Sequence, residues 1–289
     1  FPLNPLEIPA INQLLEQGVA ITVLISDEHT VSKTDAALSA SINAMIEVDT
    51  GHDRSGFSSE NLDLIKVVAQ QTVESDHFQL YGIYAHSGHT YHAHSVGEIR
   101  QIWSASIKEL NFLRNQLHSL APELIIRMGD TPGCSVVEDM DGIDEIGPGN
   151  FIFYDLVMNY LDVCEEKDIA VAVACPVVAK YSERNEIIIH GGAVHFSKDH
   201  LFDEYEEKFF GELVILNDLG WSSIIPNAKL KSLSQEHGVL KVEDEVFEQI
   251  EIGDVLGFLP IHSCLTANLM KSYITLEGQP FEHMERSSF

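Results

Sequence analysis

Apolar residues in the first half of the chain fall into short runs, and the longer stretches between them repeat apolar positions every three or four residues. Ala20–Ile25, Ala44–Val48, Leu80–Ala85 and Leu124–Met128 read as strands, with Phe151–Tyr154 as a fifth candidate. Leu6–Gln17, Ser59–Ser75 and Val96–Leu120 read as amphipathic helices, the last most clearly. Strands alternating with helices build βαβ units around a parallel sheet. Ligands of such sheets gather at the C-terminal ends of the strands. The polar, glycine-containing stretches Asp49–Gly51, His86–Gly88 and Gly129–Gly133 fall there.

The pattern changes near Asp168. Ile169–Val178, Glu186–Ile189, Trp221–Lys231, Val239–Val242 and Val255–Leu259 are short and β-rich, punctuated by turn signals at Gly191-Gly192, Glu236–Gly238 and Glu251–Asp254. A mainly antiparallel β domain is expected here, which divides the chain into residues 1–155 and 156–289.

The chain has 289 residues, 45% of them hydrophobic, enough for a large core in one or two domains. With 17 Lys+Arg against 45 Asp+Glu, the net charge is -28. Such a surface repels nucleic acid and anionic membrane, so neither is expected as a partner. An anionic ligand would need local positive charge or backbone N–H groups. Cys134, Cys164, Cys175 and Cys264 show no disulfide-like spacing, which fits a reducing, cytoplasmic setting. No apolar run approaches the ~20 residues of a membrane span. The chain opens Phe1-Pro2-Leu3 without an initiator Met, which reads as a fragment or a processed chain.

Chemistry concentrates at a few places. Pro260–Asn268 follows an apolar run and sets His262 and Cys264 two residues apart. On a strand such residues share a face, and an imidazole nitrogen with a thiolate sulfur suits zinc. The other reading of the pair is two ordinary strand residues. Gly129–Ser135 can offer backbone N–H groups and a hydroxyl to a phosphate, or be a plain turn from strand to helix. Gly147–Asp155 is similar, with Tyr154 as a donor to phosphate or a core residue. His86, His89, His92 and His94 invite a metal reading, but a solvated loop with one useful histidine is preferred, His86 being the one next to a strand. Asp49 and Arg54 share a loop that they could hold together, and Glu236-His237 lies in a turn.

Taken together, these stretches resemble the fold-type III pyridoxal-phosphate enzymes that act on D-amino acids, above all the zinc-dependent D-serine dehydratase family and its relative D-threonine aldolase. The matching runs are Val48–Gly56, Tyr84–Tyr91, Gly129–Ser135, Gly147–Asp155, Ser234–Gly238 and Pro260–Thr266, in the family's order across nearly the whole chain. The resemblance implies an α/β fold: a (β/α)₈ TIM barrel of the alanine racemase type followed by the β domain, whose chain is free to re-enter the barrel near its end. It implies that Gly129, Asp130 and Thr131, with Gly149, Asn150 and Tyr154, hold the phosphate of pyridoxal 5'-phosphate. Tyr84 and His86 would lie near the pyridine ring, and His262 and Cys264 would bind zinc or another divalent metal. It further implies a homodimer acting on a small D-amino acid.

The family's Schiff-base lysine stands on its first barrel strand, and no stretch here matches it. Five strands are visible where a closed barrel needs eight, so at about 250 residues for eight units roughly 90 residues are expected before Phe1. No covalent cofactor and no stable lone monomer are therefore expected of the chain as it stands. The expected activity of the complete protein is β-elimination of D-serine to a keto acid and ammonia. The alternatives are retro-aldol cleavage, racemisation, or a non-catalytic fragment or pseudoenzyme.

Overall fold

The computed structural model describes residues 1–282. It divides into two compact units, Phe1–Gly149 and a second that begins at Asn150.

In the first unit, strands β1 (Thr22–Ile25), β2 (Ile42–Asp49), β3 (Phe57–Ser58), β4 (Phe78–His86), β5 (Ile125–Gly129) and β6 (Glu145–Ile146) form one parallel sheet. Its order is β1-β2-β4-β5-β6, with β3 paired to the end of β2. The four apolar runs of the sequence are all strands. The fifth parallel partner is Glu145–Ile146, not Phe151–Tyr154. Those aromatic residues form a turn because the N–H groups of Phe153 and Tyr154 both reach back to the Asn150 carbonyl, at 3.0 and 2.8 Å. β2 is buried almost without interruption from Ile42 to Val48, the signature of a parallel strand covered on both faces.

Helices α1 (Ile8–Glu16), α2 (Leu62–Glu74) and α3 (Val96–Leu117) pack apolar stripes on this sheet. The stripe of α2 is Ile65, Val68, Ala69 and Thr72, at helical spacing. α3 starts at Ser95, whose hydroxyl accepts from Glu98 N–H at 3.2 Å while the Glu98 carboxylate accepts from His94 N–H at 2.7 Å. Along it Ile99, Trp103, Leu110, Leu113 and Leu117 are buried.

In the second unit, six strands close into a barrel: β7 (Val173–Tyr181), β8 (Glu186–His190), β9 (Gly211–Val214), β10 (Lys229–Leu233), β11 (His237–Lys241) and β12 (Val255–Pro260). All pairings are antiparallel, in the order β9-β10-β11-β8-β7-β12 and back to β9. β7 alternates buried and exposed positions from Val173 to Val178, as a strand with one face in a core requires. The expected strand Trp221–Lys231 is broken between Trp221 and Lys229, where the chain turns. Phe196 and Phe258 meet edge to face in the barrel core at 6.1 Å between ring centroids. Among the described residues, no helix is long and apolar enough to cross a membrane.

Candidate active site

Four polar side chains form a row across the parallel sheet. Strand register pairs Glu47 with Tyr84, Tyr84 with Arg127, and Arg127 with Glu145. Arg127 Nη1 donates to Glu145 Oε2 at 3.1 Å, and the Tyr81 hydroxyl donates to Oε1 of the same carboxylate at 3.0 Å. The β2–β4 register slips by one residue at Tyr81, a bulge of the kind that re-aims side chains. Glu47, only 2% exposed, accepts from Ser55 Oγ at 2.9 Å and from the Ser26 hydroxyl. Sequence reading missed Glu47, Arg127 and Glu145. The available signal was a charge in the middle of an apolar run, as in Ala44–Val48 and Leu124–Met128.

β4 carries Tyr84 and His86 two residues apart, hence on one face. Burial raises the Tyr84 phenol above its ordinary value. Burial, and then the positive charge of Arg54, push the His86 imidazole down to about 4, against a hydrogen bond to the Gly129 backbone. The rings of His52 and His86 stand 5.5 Å apart. His52 and His89 are also held below the ordinary histidine value, chiefly by burial. His92 and His94 are exposed. Asp49 does not pair with Arg54: its carboxylate accepts from the N–H groups of Gly51, His52 and Asp53 at 2.9, 2.8 and 2.9 Å. Asp49 thus folds the loop that carries Arg54.

The stretch after β5 is built around Asp130. Its side chain caps helix α4 (Thr131–Val136), accepting from Gly133 N–H at 2.5 Å and from the Thr90 hydroxyl at 2.9 Å. Its other oxygen is buried with no hydrogen-bond partner. Burial raises this carboxyl to about 6. The Thr131 N–H donates to the Tyr91 hydroxyl at 3.3 Å. Gly129 is required by space: a Cβ there would lie 2.7 Å from the Gly147 carbonyl oxygen and 3.5 Å from the Tyr84 hydroxyl. Gly149 has open space where a Cβ would be. Tyr84, His86 and Gly129 therefore share one end of the sheet beside a glycine-lined approach, which suits a flat cofactor ring with an anionic arm.

In the second unit, His262 and Cys264 do not lie on a strand. β12 ends at Pro260, His262 is the N-cap residue of helix α7 (Ser263–Met270), and Cys264 sits in its first turn. The same-face argument from strand geometry fails, and the pair is set instead by a buried network beneath the helix start. Asp155 caps helix α5 (Leu156–Tyr160) by accepting from Met158 N–H at 3.1 Å. It also accepts from Ser263 N–H at 3.1 Å and from Asn150 Nδ2 at 2.6 Å. The Asn150 amide oxygen accepts from the Cys264 thiol at 3.3 Å. The Ser263 hydroxyl donates to the Tyr154 carbonyl at 2.5 Å, where Tyr154 turns with φ +47°. Burial, and then the Asp155 charge, raise the Cys264 thiol above its ordinary value. His262 Nδ1 stands 2.9 Å from Asp199 Oδ2, which leaves Nε2 as the ring's other donor atom. Among the described residues no group of three or more His, Cys, Asp or Glu converges on one point. An imidazole nitrogen and a thiol sulfur are the donor types that a soft divalent metal takes. Ser234–His237 forms an exposed turn closed by a 2.8 Å bond from Ser234 N–H to the His237 carbonyl.

The family model of the alanine racemase N-terminal domain matches residues 3–156, and that of a putative serine dehydratase domain matches residues 170–276. A D-serine dehydratase of Dictyostelium discoideum is 27% identical over 94% of this chain and 72% of its own length. A D-serine dehydratase of Schizosaccharomyces pombe is 25% identical over 94% of this chain and 65% of its own length. Among solved structures, D-threo-3-hydroxyaspartate dehydratase from Delftia sp. HT23 superposes with a TM-score of 0.89 at 21% identity, covering 99% of this chain and 78% of that one. That enzyme has also been solved as a cysteine-to-alanine mutant in its metal-free form and as a histidine-to-alanine mutant, the histidine lying two positions before the cysteine. D-threonine aldolase from Filomicrobium marinum superposes with a TM-score of 0.77 at 18% identity, covering 97% of this chain and 72% of that one. The α/β fold of the alanine racemase type is thus shared.

Proposed function

The chain belongs to the family of the alanine racemase N-terminal domain, and from that membership we propose that the complete protein is a metal-dependent, D-serine dehydratase-like lyase. The observation that carries the reading is continuity: relatives named D-serine dehydratase align over 94% of the chain, across both units. The reaction is a β-elimination. The bond from Cα to hydrogen and the bond from Cβ to the hydroxyl both break, proton and hydroxide leave as water, and a Cα=Cβ double bond forms. The resulting enamine tautomerises to an imine, which takes up one water to give a keto acid and ammonia. Pyridoxal phosphate, when bound, takes up the electron pair left at Cα.

The first unit serves that cofactor. Tyr84 and His86 are the side chains that would hold its ring. The backbone at Gly129, Thr131 and Gly149 would receive its phosphate, and Asp130 orders the loop by capping the helix that follows. In a chain of net charge -28, Arg54 supplies local positive potential. His86, kept neutral, offers a hydrogen bond without adding charge.

The second unit serves the metal. His262 and Cys264 would hold the metal, and a divalent ion there would supply Lewis acidity toward the substrate's β-hydroxyl. The paired histidine and cysteine mutants of the Delftia enzyme, one of them metal-free, support this assignment. Asn150 and Tyr154 act here by fixing Cys264 and Ser263. The substrate is a D-amino acid with a β-hydroxyl, the free cysteines fit a reducing, cytoplasmic setting, and a homodimer is the assembly that the family resemblance implies.

Product analysis on D-serine, D-threonine and D-alanine tests the reading. A keto acid with ammonia supports elimination, glycine with an aldehyde supports retro-aldol cleavage, and the L-enantiomer supports racemisation.

A further inference from the structure

We propose that Asp199 is a positioning residue for His262, fixing its ring and tautomer for metal binding, and that the strained backbone at Ser197 sets Asp199 in place. The proposal rests on the metal reading of His262 above. A carboxylate only accepts hydrogen bonds. With Asp199 Oδ2 at 2.9 Å from Nδ1, the ring proton stands on Nδ1 and the lone pair on Nε2. A metal-binding histidine whose far nitrogen donates to a carboxylate is a better ligand and is held in one orientation.

The segment leading to Asp199 is built at a conformational cost. Helix α6 (Ala193–Phe196) ends at Ser197, whose φ of +70° and ψ of -163° lie in a region that glycine fills and side chains avoid. Three bonds hold the turn. Ser197 N–H donates to the Ala193 carbonyl at 3.0 Å. Asp199 N–H donates to Ser197 Oγ at 3.1 Å. The Phe196 carbonyl accepts from the Thr266 hydroxyl at 3.3 Å. Thr266 lies on α7 with Cys264, so the same helix start that presents the thiol anchors the turn that presents the carboxylate. The Asp199 and His262 side chains are 42% and 41% exposed, where a lone hydrogen bond returns little stability. Backbone strain kept for so small a return points to a role in function.

The test measures zinc affinity of the complete protein by competition with a chromophoric chelator, alongside melting temperature. Asp199→Ala is expected to bind zinc about 10–100-fold more weakly with an unchanged melting temperature. Asp199→Asn, which keeps an acceptor for Nδ1–H, should recover most of that loss, and the visible bands of the cobalt-substituted protein should follow the same order. Should the alanine variant not fold, Asp199→Ser, too short to reach the ring, is read in its place. Zinc affinity within twofold of the wild type in the alanine or serine variant overturns the proposal. Unchanged zinc affinity in His262→Ala would instead overturn the metal reading itself.

Discussion

The thiol of Cys264 donates to the amide oxygen of Asn150 at 3.3 Å, and Asn150 in turn donates to the Asp155 carboxylate at 2.6 Å. This chain of bonds fixes a sulfur that burial keeps protonated in the absence of a cation. A divalent metal bound there would reverse that preference, because the thiolate is the form of cysteine that ligates a metal. Cys264→Ala removes one small, half-buried group and leaves the network to Asp155 intact. It should abolish zinc content and turnover in the complete protein while the melting temperature stays near that of the wild type. Metal analysis of the purified variant checks this, and retained zinc would contradict it.

His86 should stay neutral down to acidic pH. Its folded value of about 4 lies below the ordinary 6.5, so it contributes stability that is present above 6.5 and is lost as pH falls toward 4. Arg54→Ala removes the second cause of the depression, and the His86 midpoint should rise. The imidazole C–H signals followed by NMR between pH 3 and 8 report it directly. An unmoved midpoint would show that burial alone sets the value.

Gly129→Ala should cost about 1–3 kcal/mol, as overpacking against a rigid partner does. The new Cβ would meet the Gly147 carbonyl oxygen at 2.7 Å, and backbone cannot swing aside. Urea unfolding gives the loss of stability, and a cofactor titration should show weaker binding. Gly149→Ala, with open space around its Cβ, should leave stability nearly unchanged.

Asp130 carries a pH signature of the opposite sign to His86. Its folded value of about 6 exceeds the ordinary 3.8, so the protonated form is favoured in the fold. The stability it contributes is complete below 3.8 and is lost as pH rises through 6, an effect of about 3 kcal/mol. Asp130→Asn keeps the oxygen that caps α4 and should abolish this slope. The difference in unfolding free energy between wild type and variant, measured at pH 4 and pH 7, should then favour the variant at the higher pH.

Much of this architecture is legible in the sequence because parallel strands are apolar throughout and their polar ends are short. The runs around Met45, Ile83 and Ile126 gave the sheet, and the residues just beyond them gave His86 and Gly129 at one end of it. Some readings failed for local reasons. Phe151–Tyr154 has strand composition, but a single acceptor, the Asn150 carbonyl, folds it into a turn. His262 and Cys264 sit just past a strand, and only the buried Asp155, more than a hundred residues earlier, shows that a helix starts between them. Asp199 left no mark in the sequence, since its partner lies 63 residues away.

Metal-dependent elimination from D-serine is read most directly in turnover. The complete protein, loaded with pyridoxal phosphate, should convert D-serine to a keto acid and ammonia in equal amounts and leave L-serine untouched. Treatment with a chelator should stop the reaction, and zinc should restore it. Equal turnover before and after complete removal of the metal, or glycine and an aldehyde from D-threonine with no keto acid from D-serine, would contradict the account.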